Sequence, residues 1–115
     1  MALKTDVSRA AREAGTEKPV DLVHLSTQTM GDRQLEKQVL GVFVAQSGIY
    51  LRTWRTAGDA RARSDVAHAL KGAARGIGAW HLADLAEQAE TPGFDDVDRL
   101  ETEVQRVCDY IRSLA

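Results

Sequence analysis

His68 stands in a run whose other members are mostly small or basic. Lys71 follows it after three residues and Arg75 after seven. On a helix, residues at these spacings share one side, so both cations would flank the imidazole ring and could neutralise an anion bound there. A neutral imidazole is a nitrogen nucleophile, and its unperturbed pKa of about 6.5 leaves most of it uncharged near neutral pH. This pattern suits attack on phosphorus.

The apolar residues around His68 predict that it lies on the solvent side of a helix. At about 100° per residue, His68 falls about 160° from the centre of the predicted core stripe, and Arg61, Gly72 and Arg75 fall on the same outward side. A mid-helix glycine lowers helix stability by about 1 kcal/mol relative to Ala. Access of a partner to the ring best explains why a glycine occupies position 72. The core stripe recurs at steps of four, three and four residues: Val66, Leu70, Ala73 and Ile77.

A long helix is predicted to precede the histidine helix, beginning at the N-cap Asp32 and ending near residue 57. Before it, a short helix is expected over residues 21–29, and a weak apolar stripe over residues 1–18 suits a frayed helix. The predicted core stripe of the long helix steps by three and four residues: Leu35, Val39, Val42, Phe43, Gln46, Ile49, Tyr50 and Trp54.

Three further helices are predicted, over residues 59 to 76–78, 80–89 and 97–114. No segment alternates with a period of two for long enough to be a strand. Long amphipathic helices joined by short turns predict an all-α, antiparallel four-helix bundle with a short accessory N-terminal helix or helices. We expect residues 1–18 to form an extension and residues 19–115 the domain.

Composition narrows the classes of function. The 115 residues are 43% hydrophobic and 28% charged, which is typical of one globular domain. The net charge of −2 is spread along the chain, so we expect protein partners and neither nucleic acid nor a membrane. The lone Cys108, the lack of a signal-like N-terminus and the absence of an apolar run of about 20 residues favour a cytoplasmic protein. A complete bundle also favours a monomer.

The run from His68 to Ala79, HALKGAARGIGA, resembles the signature of histidine phosphotransfer (HPt) domains, His-x-Leu-Lys-Gly followed by an Ile/Leu-Gly-Ala element. The layout of residues 19–114 resembles that family as well. The resemblance implies a four-helix bundle whose exposed histidine takes a phosphoryl group from a receiver-domain aspartate and hands it to another receiver. Ala69 and Ala73 depart from the pattern, because many members carry serine or another small polar residue there.

The resemblance implies a role for each matching residue. His68 would accept the phosphoryl group, Lys71 would help hold its oxygens, and Gly72 would give the receiver room. The partners would be receiver domains of response regulators and of hybrid histidine kinases, whose acidic pocket holds Mg²⁺. We expect no cofactor, metal or ATP in this chain, which has no nucleotide-binding loop. The docking surface would comprise Arg61, Ser64, Asp65, Ala69 and Arg75.

Two other classes compete with a phosphocarrier. A non-catalytic bundle could keep the fold and bind a signalling partner without phosphorylation, and a helical nucleic-acid binder would need a basic face. A zinc site would need about four ligands in close pairs, which His24, His81 and Cys108 do not form. We expect these three residues to serve packing or capping.

Overall fold

The computed structural model describes residues 18–114, and this part of the chain contains five helices and no strand. Four of the helices form a ring in which each packs against the next one along the chain. The remaining helix, which is the first in the chain, contacts the second and third helices. Short connections make the successive bundle helices antiparallel, so the predicted all-α four-helix bundle with an accessory N-terminal helix is confirmed. The helices are α1 (Leu22–Gln28), α2 (Arg33–Thr56), α3 (Ala60–Ile77), α4 (Trp80–Ala89) and α5 (Val97–Ser113).

The helix predicted over residues 1–18 lies, except for Lys18, outside the described residues. The proposed domain boundary at residue 19 therefore stays a prediction. In the described part of the chain, no helix is long and apolar enough to cross a membrane.

Aspartates determine where four of the five described helices begin. In each case a side-chain oxygen accepts a hydrogen bond from the backbone N–H three residues later, at 2.8 to 3.2 Å. Such a cap contributes about 1 kcal/mol and satisfies a donor that the helix leaves unpaired. The predicted cap at Asp32 is confirmed, and its role is to begin α2. The caps are Asp21, Asp32, Asp59 and Asp96.

The core face of α3 is rotated from the predicted one. Val66 and Ala73 are only half-buried, whereas Ala67 and Ala74 are fully buried beside Leu70. Alanine is a weak hydrophobic signal in a sequence, but its small side chain lets α4 pack closely against this side of α3. The rotation leaves His68 on the outward face.

The predicted core stripe of α2 is partly wrong. Leu35, Val42 and Ile49 are 39%, 54% and 52% exposed. The helix carries apolar residues on two faces, and the bundle can cover only the face that includes Phe43. The other face, at steps of seven residues, remains at the surface. We call Leu35, Val42 and Ile49 the outer stripe of α2.

A glycine joins α1 to the end of the histidine helix. Gly78 caps α3 with φ +77° and accepts a 2.9 Å hydrogen bond from the N–H of Asp21. The indole of Trp80 donates to the Asp21 carboxylate at 3.0 Å. Burial opposes ionisation of Asp21, but this bond and those from the backbone N–H groups of His24 and Val23 lower its pKa. The junction ties α1 to both α3 and α4.

Candidate functional site

His68 projects from the outward face of α3, and 71% of its side chain is exposed. The predicted exposure is therefore confirmed. Its Nδ1 lies 3.1 Å from Oε1 of Glu90. Since an ionised carboxylate can only accept, this contact assigns the ring proton to Nδ1. Nε2 is then the nitrogen with a free lone pair, and it has no hydrogen-bond partner among the described residues.

Glu90 directly follows α4 and connects the imidazole to a lysine. Its Oε2 lies 2.6 Å from Nζ of Lys71. The hydrogen bond from Lys71 lowers the pKa of Glu90, partial burial opposes this change, and the contact with His68 adds to it. The carboxylate is therefore ionised at neutral pH, as the tautomer of His68 requires.

Glu90 is a site residue that the sequence did not predict. It lies 22 residues after His68, and no local spacing joins the two positions. Only the close packing of α4 on α3 brings the carboxylate to the ring. A contact of this kind between two helices leaves no short-range pattern in the sequence.

The two cations assigned to anion binding are already paired with carboxylates of α4. Besides Glu90, Lys71 Nζ lies 3.7 Å from Oε2 of Glu87, and Nη2 of Arg75 lies 3.1 Å from the same oxygen. From the sequence, Lys71 and Arg75 were predicted to be open to an incoming anion. The structure instead brings two carboxylates to them, so a phosphoryl group would have to compete for both.

Gly72 and four of the proposed docking residues lie on the exposed side of α3. A Cβ atom at Gly72 would meet no heavy atom of the described chain within 4 Å. Ser64 is half-buried, and Arg75 is engaged by Glu87. The exposed docking residues are Arg61, Asp65, Ala69 and Arg75. Their roles remain predictions, but their common face leaves room for a protein surface.

A groove of about 420 Å³ runs between α2 and α3, beside this face. Gly72 and Gly76 lie one turn apart on α3, so the surface passes from the imidazole over two glycines into the groove. Much of this lining was predicted from the sequence to lie in the core. The lining is mostly apolar and includes Leu35, Val39, Val42, Ala73, Gly76 and Ile77.

The three residues weighed for a zinc site are engaged separately. His24 packs edge-on against Trp80 at 4.7 Å, and His81 Nε2 lies 3.9 Å from Oε1 of Glu103. Cys108 is buried, with Sγ 3.6 Å from Ser47 Oγ. Within residues 18–114, no group of three or more His, Cys, Asp or Glu residues could hold a metal ion.

The site is thus one exposed histidine on a four-helix bundle, with a carboxylate on one of its ring nitrogens. The family model for the Hpt domain matches residues 33–113, from the first residue of α2 to the last of α5. The chain belongs to this family, whose members carry out histidine phosphotransfer in phosphorelays and interact with receiver domains. Comparison with curated proteins and comparison with solved structures each gave no match.

Proposed function

We propose that His68 accepts a phosphoryl group from the aspartate of one receiver domain and passes it to another. The observation that carries this proposal is the contact between Nδ1 and Glu90, since it leaves Nε2 as the nucleophile on an exposed ring. The alternative is a bundle that binds its partner without phosphorylation. That alternative gives no reason for a carboxylate to hold one tautomer of a surface histidine.

The proposed transfer uses the two ring nitrogens differently. The lone pair of Nε2 attacks the phosphorus, while the bond from phosphorus to the aspartate oxygen breaks and leaves its electron pair on the carboxylate. The proton stays on Nδ1, so the phosphorylated ring is an imidazolium. Glu90 stabilises that positive charge. In the reverse direction, the ring recovers the electron pair when a receiver carboxylate attacks the phosphorus.

Docking would place the receiver's aspartate near Nε2 of His68. Gly72 would leave space for the approach, and Lys71 would help hold the phosphoryl oxygens. We propose that the docking surface extends from Arg61, Ser64, Asp65, Ala69 and Arg75 on α3 across the groove to the outer stripe of α2. Contiguous exposed apolar surface is typical of a protein-binding site, and this surface adjoins the histidine.

The experiment that tests the proposal starts with the full chain and a phosphorylated receiver domain of a hybrid kinase. The chain should gain a label that is labile in acid and stable in alkali. Nitrogen–phosphorus coupling in NMR spectra should then assign the label to Nε2 of His68. If several receivers transferred no label to the folded chain, the non-catalytic bundle would become the leading interpretation.

Glu90→Gln should slow phosphoryl acceptance from the receiver by about fivefold. A hydrogen bond to a charged group is worth about 1 kcal/mol more than a neutral one, and the imidazolium forms during the step. The measurement is the single-turnover rate of transfer, together with the tautomer of His68 from ¹⁵N NMR. Asp109→Asn on α5 is the matched control, since it removes one negative charge outside the site. An unchanged rate and tautomer for Glu90→Gln would contradict this role.

Gly72→Gln should slow transfer from the receiver and leave chemical phosphorylation by phosphoramidate unchanged. The longer side chain would cover the approach to the ring for a protein but not for a small molecule. Helix propensity predicts slightly greater stability, by about 0.5–1 kcal/mol. Gly41→Gln is the matched control, because Gly41 is also an exposed mid-helix glycine with no described atom within 4 Å of a Cβ. Equal transfer rates in both variants would rule out the access role.

A further inference from the structure

Four charged side chains form a network across the α3–α4 interface beside His68. Lys71 and Arg75 extend from α3, while Glu87 and Glu90 extend from the end of α4. The network has an inner pair, Lys71 with Glu90, and an outer pair, Arg75 with Glu87. The two formal positive charges equal the two negative ones. The site therefore offers a phosphoryl group no excess of positive charge among these four groups.

The two carboxylates differ in what they contact. Glu90 holds His68 as well as Lys71, so it has a role in the ring chemistry. Among the described residues, Glu87 contacts the two cations and does not contact the imidazole. Its side chain is 59% exposed, whereas that of Lys71 is 14% exposed. Glu87 is thus an exposed outer anion, paired with cations that the phosphoryl group would also attract.

A phosphoryl group on His68 would carry about −1.5 to −2 charge on its oxygens at neutral pH, next to the positive charge of the imidazolium. Lys71 is one helical turn from His68, and Arg75 is two turns away on the same outward side. To interact fully with the phosphoryl oxygens, both cations must give up part of their contact with Glu87. The carboxylate therefore opposes phosphorylation, by competition for the cations and by direct repulsion of a like charge.

We infer that Glu87 weakens the hold of the site on the phosphoryl group and so sets the equilibrium of transfer between His68 and the receiver. This inference rests on the proposed function and adds a residue that regulates it. A carrier that must both accept and donate needs a phosphorylated form that is not too stable. Glu87 supplies a destabilising charge without touching the reacting nitrogen.

Glu87→Gln should shift the equilibrium toward phosphorylated His68 by about two- to fivefold, the range expected for one exposed ion pair. Glutamine keeps the size of the side chain and removes the charge. The shift should shrink as salt is added, because the pair is exposed to solvent. Asp109→Asn makes the same charge change on α5, which lies diagonally across the described bundle from α3, and it should leave the equilibrium unchanged.

A second readout does not require a receiver. The full chain is phosphorylated with phosphoramidate, and the pKa of the phosphorylated His68 imidazolium is measured by ³¹P NMR, with the signal assigned by its absence in His68→Gln. A negative charge nearby raises this pKa, so Glu87→Gln should lower it and Asp109→Asn should not.

The two readouts separate the inference from the proposed function. If Glu87→Gln behaves like Asp109→Asn in both, the inference is overturned. If the pKa falls in Glu87→Gln but the wild type accepts no label from any receiver, the electrostatic effect of Glu87 is supported and the proposed relay fails.

Discussion

His68→Gln should take no phosphoryl label from a receiver that labels the wild type. Glutamine lacks a nucleophilic ring nitrogen, and the amide nitrogen cannot form the acceptor bond. The substitution should change the free energy of unfolding by no more than about 0.5 kcal/mol, since the side chain is mostly in solvent and packs in no core. The measurements are label transfer and urea denaturation on the same preparation.

The matched control for this variant is His81→Gln. His81 is also a partly exposed histidine, but it lies near Glu103 on the other side of α4 from the α3 site. It should accept label at the wild-type rate. Label retained by His68→Gln would move the acceptor to another residue, and global unfolding of that variant would contradict the solvent-facing placement of the ring.

Gly78→Ala should lower the free energy of unfolding by about 2–4 kcal/mol, the largest stability effect that we expect from a single methyl group in this chain. The backbone φ of +77° costs an L-residue about 1–2 kcal/mol. A Cβ there would also lie 2.9 Å from the Asp21 Cβ and 3.0 Å from the Asp21 carbonyl oxygen. The junction would have to open, which weakens the bonds that Asp21 makes with Gly78 and Trp80.

Gly76→Ala is the matched control for Gly78→Ala, because it adds the same methyl group two residues earlier. Gly76 is helical, and within residues 18–114 a Cβ there meets nothing within 4 Å. This substitution should raise stability by up to about 1 kcal/mol through helix propensity. Urea denaturation of both variants measures the difference. Equal stabilities would show that the left-handed cap and its contact with Asp21 do not hold α1 in place.

The two carboxylates at the end of α4, Glu87 and Glu90, are predicted to act in opposite directions. Loss of charge at Glu90 should slow transfer, because this group stabilises the imidazolium during the step. Loss of charge at Glu87 should favour the phosphorylated state, because this group occupies the cations. Both side chains pair with Lys71, so a simple loss of ion pairs would change the two variants alike. Effects of opposite sign in the two variants would show that Glu90 acts on the transfer step itself, beyond a general loss of negative charge.

Under the proposed function, the apolar surface beside the site would give the receiver a place to bind. The outer stripe of α2 and the groove between α2 and α3 lie next to the glycines that follow His68. Apolar contact can supply binding energy for a complex that must form and separate, while the charged residues of α3 orient it. The docking surface that we propose is thereby larger than the five residues of α3 that the family resemblance implied.

The sequence by itself determined the helices, their order and the exposure of His68. Aspartate caps, apolar periodicity and glycine or proline turns act over a few residues, so they can be recognised in the sequence without a tertiary structure. The motif from His68 to Ala79 also lies on one continuous helix and its cap. For that reason the family, the fold class and the candidate acceptor could all be predicted.

Only the tertiary structure decided which apolar face of α2 is covered and which carboxylates meet the histidine helix. Leu35, Val42 and Ile49 are as apolar as core residues, and their exposure follows from how many neighbours the bundle can place around one helix. Glu87 and Glu90 reach the site because the alanines of α3 let α4 approach closely. Contacts between residues 12 to 22 positions apart depend on packing, which no local pattern encodes.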